Sequence, residues 1–376
     1  MHIVDTTLFF APSSGGVKRY LLAKHDYLKR QKGVRHTIVV PGSAHERPAA
    51  GVVVVTSPRI PWGHGYRVPL SINDWADVLC ALEPDVIEAG DPYHLAWSAL
   101  EAAQRLDVPA IAFAHSDLPR VMAMHLGTAA GALANIYLRK LYNRFALITA
   151  PSRTIASRLH EMGIERVAVQ PLGVDTQLFH PSRRDPSFKA ELGLAPDARV
   201  LMYAGRLSAE KRIPILGEMA AALGAPYHVV IVGGTEKKRV SPHLTYLPYE
   251  QDTARLARLL ASADALVHAG EHETFGLVFL EAMACGRPVI GVRSGAIPEI
   301  IDNSVGRVAE PYTVEQIAGA VRDLFADDVE ALGRCARRTV EQKYAWEPVF
   351  RQQLARYAHL VQSRAAPDSA WARALS

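Results

Sequence analysis

Short runs of apolar, mostly β-branched residues alternate with stretches of helical periodicity along almost the whole chain, and this alternation restricts the possible folds more than any other feature. In the first half the strand-like runs are residues 2–6, 37–40, 52–56, 86–89, 110–115 and 147–150. In the second half they are residues 200–204, 228–232, 244–247, 264–268 and 288–292. Strands that are apolar on both faces and alternate with helices are typical of parallel sheets covered by helices on both sides. The pattern therefore predicts an α/β protein.

Helical periodicity fills several of the intervals between these runs. The predicted helices are residues 17–31, 94–106, 152–162, 213–223, 253–262, 277–285 and 313–325. A turn-rich segment, 175–197, interrupts the pattern and is predicted to be a linker. Because 376 residues exceed one ordinary core of about 100–200 residues, we expect two doubly wound domains. A single (β/α)8 barrel is the alternative, but it requires eight even strand–helix units without such an interruption.

Composition excludes several classes of protein. Hydrophobic residues make up 49% of the chain and charged residues 21%, so it can bury two cores and is not intrinsically disordered. No apolar run approaches the roughly 18 residues of a membrane-spanning helix, and the N-terminus lacks the pattern of a signal peptide. The three cysteines are widely spaced and form no zinc pattern. We therefore expect a reduced, cytoplasmic protein.

The charge distribution raises the question of an anionic partner. A net charge of +4 does not indicate nucleic acid. The basic excess lies in the first half, where 20 Lys and Arg stand against 15 Asp and Glu up to Arg184. Within it, residues 129–145 form an apolar stretch with Arg139, Lys140 and Arg144 towards its end. Cations near the end of a helix ordinarily complement its dipole. The alternative is that this stretch contacts the inner face of a membrane.

A glycine-rich turn follows the first predicted strand. Ser13, Ser14, Gly15 and Gly16 lead directly into the helix predicted to begin at Val17. Backbone amides in such a turn can approach a phosphate closely, but the G-x-G-x-x-G spacing of a dinucleotide site is absent. The turn by itself therefore predicts either a phosphate contact or a plain tight turn.

Two cations follow the strand at 200–204, at the edge where open parallel sheets bind their ligands. Arg206 comes directly after Gly205, and Lys211 lies just before the helix predicted at 213–223. Guanidinium and ammonium groups placed together at this edge are suited to a diphosphate. A solvated basic loop is the alternative explanation.

The most specific motif follows the strand at 264–268. Glu273 lies on a loop, and Glu281 lies about one turn into the helix that opens at Gly276 or Leu277. Free amides at the start of that helix favour an anion. A carboxylate such as Glu281 within an otherwise apolar run requires a partner, which the hydroxyl groups of a sugar can provide. The arrangement predicts a site for a phosphorylated sugar.

Together these segments resemble the retaining GT-B glycosyltransferases of family four, also called glycosyl transferases group 1. The resembling elements are Gly15-Gly16, Gly205-Arg206 with Glu210-Lys211, the E-x7-E pair Glu273 and Glu281, the segment 286–290 and the turn 294–299. The resemblance is dense from about residue 199 to residue 310. It implies a GT-B fold, in which two Rossmann-like doubly wound domains face each other across a cleft. Residues 1–178 are then the acceptor-binding domain, 179–345 the nucleotide-sugar-binding domain, and 346–376 a helix crossing back to the first domain and a tail.

The resemblance implies roles for individual residues of the second domain. Arg206 and Lys211 are expected to clamp the donor diphosphate, and Glu281 to bind the ribose of the nucleotide. The donor sugar and distal phosphate are expected to be held by Glu273 and by the backbone of Thr274, Phe275, Gly276, Leu277 and Val278. In the family the final turn usually carries two adjacent glycines, whereas this chain has Gly295 followed by Ala296.

In the first domain, the resemblance implies that Gly15 and Gly16 close over the diphosphate and that His115 lies near the reacting sugar. His115, Arg206, Lys211 and Glu273 are therefore the expected catalytic residues. Asp117 and Arg120 follow His115 in sequence and are predicted to meet the acceptor.

The implied reaction moves a sugar, a hexose by expectation, from a nucleotide diphosphate sugar to a hydroxyl group with retention of configuration. We expect a UDP- or GDP-sugar donor, a sugar or lipid-linked acceptor, and neither a metal nor another cofactor. The histidine pair His268 and His272 has a spacing seen in metal sites, but it spans a strand end and a loop, which does not favour one. A nucleotide-sugar epimerase or hydrolase and a non-catalytic nucleotide-sugar-binding protein remain the alternatives.

Overall fold

The computed structural model describes residues 1–11, 15–44, 46, 49–60, 65–271, 273–310 and 313–365. Ser13, Ser14 and His272 therefore lie outside the described residues. The chain divides into two compact units. The first comprises Met1–Pro171 together with the C-terminal segment that begins at Val349, and the second comprises Leu172–Pro348. The domain boundaries drawn from the sequence at 178/179 and 345/346 stay a prediction.

The first unit contains a seven-stranded, all-parallel sheet in the order β3-β2-β1-β4-β5-β6-β7. Its strands are β1 (His2–Thr6), β2 (Arg35–Gly42), β3 (Val52–Thr56), β4 (Val86–Ala89), β5 (Ala110–Phe113), β6 (Leu147–Ala150) and β7 (Val167–Val169). Its first six helices are α1 (Gly16–Leu28), α2 (Ile72–Cys80), α3 (His94–Leu106), α4 (Leu118–Leu126), α5 (Thr128–Tyr142) and α6 (Arg153–Glu161). Strand order reverses between β1 and β4, which is the position where doubly wound sheets bind ligands.

The second unit has the same architecture. Its sheet has the order β10-β11-β9-β8-β12-β13-β14, and only the edge pair β10–β11 is antiparallel. Its strands are β8 (Arg199–Ala204), β9 (Tyr227–Gly234), β10 (Lys238–Ser241), β11 (Leu244–Pro248), β12 (Ala265–Val267), β13 (Val289–Val292) and β14 (Gly306–Ala309). Its helices are α7 (Phe188–Glu191), α8 (Ile213–Leu223), α9 (Thr253–Ser262), α10 (Leu277–Ala284), α11 (Ile297–Ile300), α12 (Val314–Ala326) and α13 (Val329–Lys343). The last helix among the described residues is α14 (Trp346–Ala365).

The prediction of two Rossmann-like, doubly wound domains is confirmed. The central strands are buried along their whole length, as the apolar runs require: β4, β5, β6, β12 and β13 have no exposed residue. The strand order of the second unit reverses between β8 and β12. Arg206 and Lys211 follow β8, and Glu273 follows β12, so the topology brings the two predicted motifs to neighbouring strand ends.

Two sequence predictions need correction. Strand β5 ends at Phe113, because the chain turns there and the amide of His115 donates to the Phe113 carbonyl over 3.0 Å. His115 is therefore a loop residue rather than the end of a strand. The segment 175–197 is not a solvated linker: it contains α7, and Phe179 and Phe188 are buried. The prolines and turn residues of this segment led to the prediction of a linker, although Phe179 and Phe188 pack in the interior.

Candidate functional site

The predicted site residues fall into two groups, one in each unit. The second unit carries the proposed donor group, which is Arg206, Lys211, Glu273, Thr274, Phe275, Gly276, Leu277, Val278 and Glu281. The first unit carries Gly15, Gly16, His115, Asp117 and Arg120.

The loop after β8 presents Arg206 to solvent. The Tyr203 hydroxyl donates to the Arg206 carbonyl over 2.8 Å and fixes the backbone of the loop. The Arg206 side chain is exposed and donates no hydrogen bond to a described residue. A Cβ on Gly233 of the neighbouring strand β9 would overlap the carbonyl oxygen of Gly205. Glycine at position 233 therefore allows the loop after β8 to pack against β9. The guanidinium is thus held at the carboxyl edge of the sheet and is available to an anion.

Lys211 and Glu273 form an ion pair between the loops that follow β8 and β12. The Lys211 ammonium donates to Glu273 Oε1, and both side chains are largely buried, at 18% and 13% exposure. His268 Nε2 lies 3.3 Å from the same oxygen. Burial raises the pKa of the Glu273 carboxyl, but His268 and Lys211 outweigh it and hold that pKa well below its usual range. Glu273 is therefore ionised and accepts hydrogen bonds only.

The start of α10 lies directly after Glu273 in sequence. Phe275 is buried, and Gly276, with φ of +86°, turns the chain into the helix through a left-handed conformation that favours glycine. The amides of Leu277 and Val278 belong to the first turn and have no acceptor within the helix. Glu281, 4% exposed, lies one turn further along the helix. The predicted order of loop carboxylate, helix amides and helix carboxylate is present as the sequence motif indicates.

The turn after β13 supports Glu273 from its backbone side. The Ala296 amide donates to the Glu273 carbonyl over 3.1 Å. Gly295 has φ of +52°, and a Cβ there would overlap the same carbonyl oxygen. Ala296 is fully buried with φ of −82°, which alanine adopts without strain. Of the two glycines usual in the family, the one this geometry requires is the one that the chain retains.

In the first unit, His115 lies just beyond β5. Its ring stacks on Phe113 with centroids 4.0 Å apart and meets the edge of Tyr20 at 5.4 Å. Burial, with a smaller contribution from the Lys24 charge, lowers the pKa of His115 to about 3. The imidazole is therefore neutral near pH 7 and can position or polarise a ligand, but it does not carry a positive charge to it.

The other predicted residues of the first unit occupy helix starts. Gly15 is the residue before α1, and Gly16 is its first residue. A Cβ on Gly15 would meet nothing within 4 Å, so packing among the described residues does not require glycine there. Asp117 accepts from the Arg120 amide at the start of α4 and forms an ion pair with Arg158 at 2.6 Å. Asp117 therefore already has two structural contacts, and its predicted contact with the acceptor stays a prediction.

The first unit contains a buried polar network that the sequence did not predict. Lys24 of α1, fully buried, donates to Asp5 of β1 over 2.8 Å and to Glu88 of β4 over 2.9 Å. His36 also contacts Asp5, and the Tyr357 hydroxyl of α14 donates to Glu88 over 2.5 Å. These contacts satisfy the two carboxylates that interrupt the apolar strands at the point where strand order reverses. Asp5 and Glu88 each lie within an otherwise apolar run, and this was the feature of the sequence from which a buried polar network could have been predicted.

Helices α4 and α5 expose an unusual number of large apolar side chains. We call this set the α4–α5 patch: Val121, Met124, Leu126, Leu133 and Ile136, each 43–68% exposed. Arg139 and Lys140 at the end of α5 are also exposed. No helix among the described residues is both long enough and apolar enough to cross a membrane.

Among the residues that the structure describes, no group of three or more His, Cys, Asp and Glu is arranged to hold a metal ion. Of the histidine pair considered from the sequence, His272 lies outside the described residues. His268 uses one ring nitrogen to accept from the Gly270 amide at 3.1 Å and turns the other towards Glu273.

One doubly wound unit has cations and helix amides at the switch point of its sheet, and the other has a neutral histidine just beyond β5. This arrangement fits the glycosyltransferase class to which the sequence motifs pointed. Residues 185–342 match the family model described as glycosyl transferases group 1, and residues 14–178 match that described as glycosyltransferase family 4. The chain belongs to the group 1 glycosyltransferases.

Similar proteins agree with this assignment. A GDP-mannose-dependent alpha-(1-6)-phosphatidylinositol dimannoside mannosyltransferase of Mycobacterium tuberculosis is 31% identical, over 94% of this chain and 95% of that protein. A GDP-mannose-dependent alpha-mannosyltransferase of Corynebacterium glutamicum is 27% identical, over 96% of this chain and 89% of that protein. The solved structure of a sucrose-phosphate synthase from Thermosynechococcus elongatus superposes with a TM-score of 0.80 at 19% identity, covering 96% and 100% of the two chains, and shows the shared GT-B fold. The protein is thus a glycosyltransferase that uses a nucleotide sugar.

Proposed function

We propose that this protein is a retaining α-mannosyltransferase that moves mannose from GDP-mannose to a hydroxyl group of a membrane glycolipid and needs no metal ion. The choice of donor rests on the similar proteins, two of which are named for GDP-mannose. The class of acceptor rests on the one whose name contains a phosphatidylinositol dimannoside. The observation that carries the proposal is the Lys211–Glu273 pair at the carboxyl edge of the second sheet, directly before the start of α10.

The positive charge of the site is suited to the leaving diphosphate. Arg206 is exposed at the edge, and Lys211 has three N–H donors, so it can contact a phosphate oxygen while it remains bound to Glu273. The first-turn amides of α10 add partial positive charge without a counterion. These groups stabilise the charge that develops on the diphosphate as the glycosidic bond breaks. In this proposal these groups, rather than a metal ion, neutralise the charge of the leaving diphosphate.

The reaction we propose takes place on one face of the sugar. The bond between C1 and the phosphate oxygen breaks, C1 gains oxocarbenium character, and the acceptor oxygen forms its bond to C1 on the same face. The acceptor proton passes to the departing phosphate oxygen, and GDP leaves. In this route Glu273, whose Oε1 is held by Lys211 and His268, serves as a hydrogen-bond acceptor and forms no bond to C1. Detection of a mannosyl ester on Glu273 would contradict this route.

We keep for His115 and Glu281 the roles that the resemblance implies. His115 is neutral near pH 7, because its pKa is lowered to about 3, so it can form a hydrogen bond to the reacting sugar without repelling the oxocarbenium-like centre. Glu281 is buried one turn into α10 and can accept from the ribose hydroxyls.

We further propose that the α4–α5 patch contacts the membrane that holds the acceptor. Its five apolar side chains can enter the interfacial region, while the neighbouring Arg139 and Lys140 attract anionic headgroups. The test is co-sedimentation with vesicles of phosphatidylcholine and phosphatidylglycerol. A double variant, Leu133→Gln with Ile136→Gln, is expected to lose binding, whereas Leu70→Gln, at a residue 82% exposed outside the patch, is the matched control. Equal binding by both variants would contradict the contact.

The proposed activity is tested by transfer from a panel of labelled donors. Purified protein is incubated in EDTA with GDP-mannose, GDP-glucose, UDP-glucose or UDP-galactose and with a lipid extract that contains phosphatidylinositol mannosides. We expect label in the lipid fraction with GDP-mannose only. Transfer of label from a UDP-sugar would overturn the proposed donor. Loss of transfer in EDTA would overturn the proposed metal independence. Release of free mannose at the same rate without acceptor would favour a hydrolase.

A further inference from the structure

His268 is a buried histidine whose orientation is fixed by its own loop. It follows β12 and is 2% exposed. Its ring lies 5.3 Å from the rings of Tyr203 and Phe279, measured between centroids. The Gly270 amide donates to Nδ1 over 3.1 Å, and a Cβ on Gly270 would overlap the imidazole. Because Nδ1 accepts, the proton of a neutral ring is on Nε2.

That proton points at the carboxylate of Glu273. His268 Nε2 lies 3.3 Å from Glu273 Oε1, which also accepts from the Lys211 ammonium. Both contacts thus fall on one oxygen, and no described residue donates to the other, Oε2. An oxygen of an ionised carboxylate that is still without a donor is a strong acceptor for a hydroxyl group.

We propose that His268 is a positioning residue that fixes the Glu273 carboxylate so that Oε2 accepts a hydrogen bond from one hydroxyl of the donor sugar, and that it thereby sets the donor-sugar specificity. The inference rests on the proposed function in that the ligand is a nucleotide sugar. A fixed, acceptor-only oxygen rejects a sugar that lacks the matching hydroxyl, because the buried carboxylate is then left without its partner. Lys211 alone could not provide this orientation, since its flexible stem allows the carboxylate to rotate.

The test compares three variants of buried histidines. His268→Leu removes the ring nitrogens, and His268→Gln retains an N–H donor. His228→Leu is the matched control: His228 is 2% exposed in the same unit, near the start of β9 and therefore at the opposite edge of the sheet, where it contacts Thr245 at 2.9 Å. Calorimetry gives the Kd of GDP and of GDP-mannose for each variant, and kinetics give kcat and KM with GDP-mannose and with donors that each lack one mannose hydroxyl.

For His268→Leu we expect GDP binding within about twofold of wild type, GDP-mannose binding weakened by about tenfold, and a lower kcat. In the wild type one deoxy donor should lose about 100-fold in kcat/KM, and in His268→Leu that loss should shrink to less than about tenfold. His268→Gln should recover part of the discrimination, and His228→Leu should keep the wild-type ratio of GDP to GDP-mannose affinity.

Equal weakening of GDP and GDP-mannose in His268→Leu, or an unchanged deoxy-donor penalty, would overturn the inference. If that variant does not fold, the 15N shifts of the His268 ring in the wild type decide instead, because a proton on Nδ1 would contradict the geometry. If the wild type prefers another nucleotide sugar, the same series is run with that donor, so that failure of the mannose assignment is distinguished from failure of the positioning role. A wild type that binds no nucleotide sugar would overturn both.

Discussion

Replacing Lys211 by alanine removes the less exposed of the two cations assigned to the proposed donor site, since Arg206 is exposed. The Lys211 side chain is 18% exposed and that of its partner Glu273 is 13% exposed, so solvent screens the Lys211 charge only in part. Two unit charges about 4 Å apart interact by about 4 kcal/mol at an effective dielectric constant of about 20, but by only about 1 kcal/mol in bulk water. The low exposure of the pair favours the larger value.

This magnitude translates into a specific loss of rate. If Lys211 stabilises the charge that forms on the leaving diphosphate, Lys211→Ala should lower kcat by about 100-fold to 1000-fold, a range typical for the loss of one preorganised donor. The KM for acceptor should change by less than about threefold, because the lost interaction concerns the donor. A screened surface cation would instead cost about fivefold.

The assay is steady-state transfer with saturating donor and acceptor, accompanied by circular dichroism to confirm folding. Lys211→Arg retains the charge and should keep more activity than alanine. Lys238→Ala, at an exposed lysine on the edge strand β10, is the control and should behave like the wild type. A kcat for Lys211→Ala within fivefold of the wild-type value would show that Lys211 does not stabilise the charge on the leaving diphosphate.

Three further predictions concern other parts of the chain. Gly295→Ala forces a Cβ onto the Glu273 carbonyl and should weaken donor binding by at least about tenfold in calorimetry, whereas Ala296→Gly should not. Glu83→Gly relieves a left-handed residue (φ of +49°) and should stabilise the first unit by about 1 kcal/mol in urea unfolding, with Glu83→Ala as a control that keeps the strain. The pKa of His115 is lowered to about 3 in the folded state, whereas in the unfolded chain the ring gains a proton below about pH 6.5. The free energy of unfolding should therefore decrease as the pH is lowered from about 6.5 to about 3. That slope should be smaller in His115→Gln; an equal slope would contradict the shifted pKa.

The sequence predicted most of the sheet because buried parallel strands need apolar residues on both faces. Strand β4 is an example: its four residues are buried and the apolar run marks its limits correctly. The edge strand β10 was missed because most of its residues are exposed and nothing in its pattern requires burial. Apolar runs thus predict the core strands and the valine-rich edge strand β3, and they overlook an exposed edge strand such as β10.

The candidate site was predictable in its residue types and not in its pairings. The cations after β8 and the carboxylate after β12 could be read from the sequence, since both follow apolar strands. Their contact depends on β8 and β12 being neighbours in the sheet, which the linear order of strands does not state. His268 was considered only as a metal ligand, because its contact with Glu273 depends on a loop that turns its ring by a backbone hydrogen bond. The structure therefore adds most to the sequence in the contacts between residues that are distant along the chain.

The anomeric configuration of the first-formed product decides whether the protein is a retaining, metal-independent mannosyltransferase. Donor, acceptor lipid and enzyme are combined in EDTA, and the coupling between C1 and its hydrogen is followed by NMR from the first turnovers. We expect an α-mannoside formed from the α-linked donor, with GDP released in equal amount. A β-mannoside, or no transfer until a divalent metal is supplied, would contradict it.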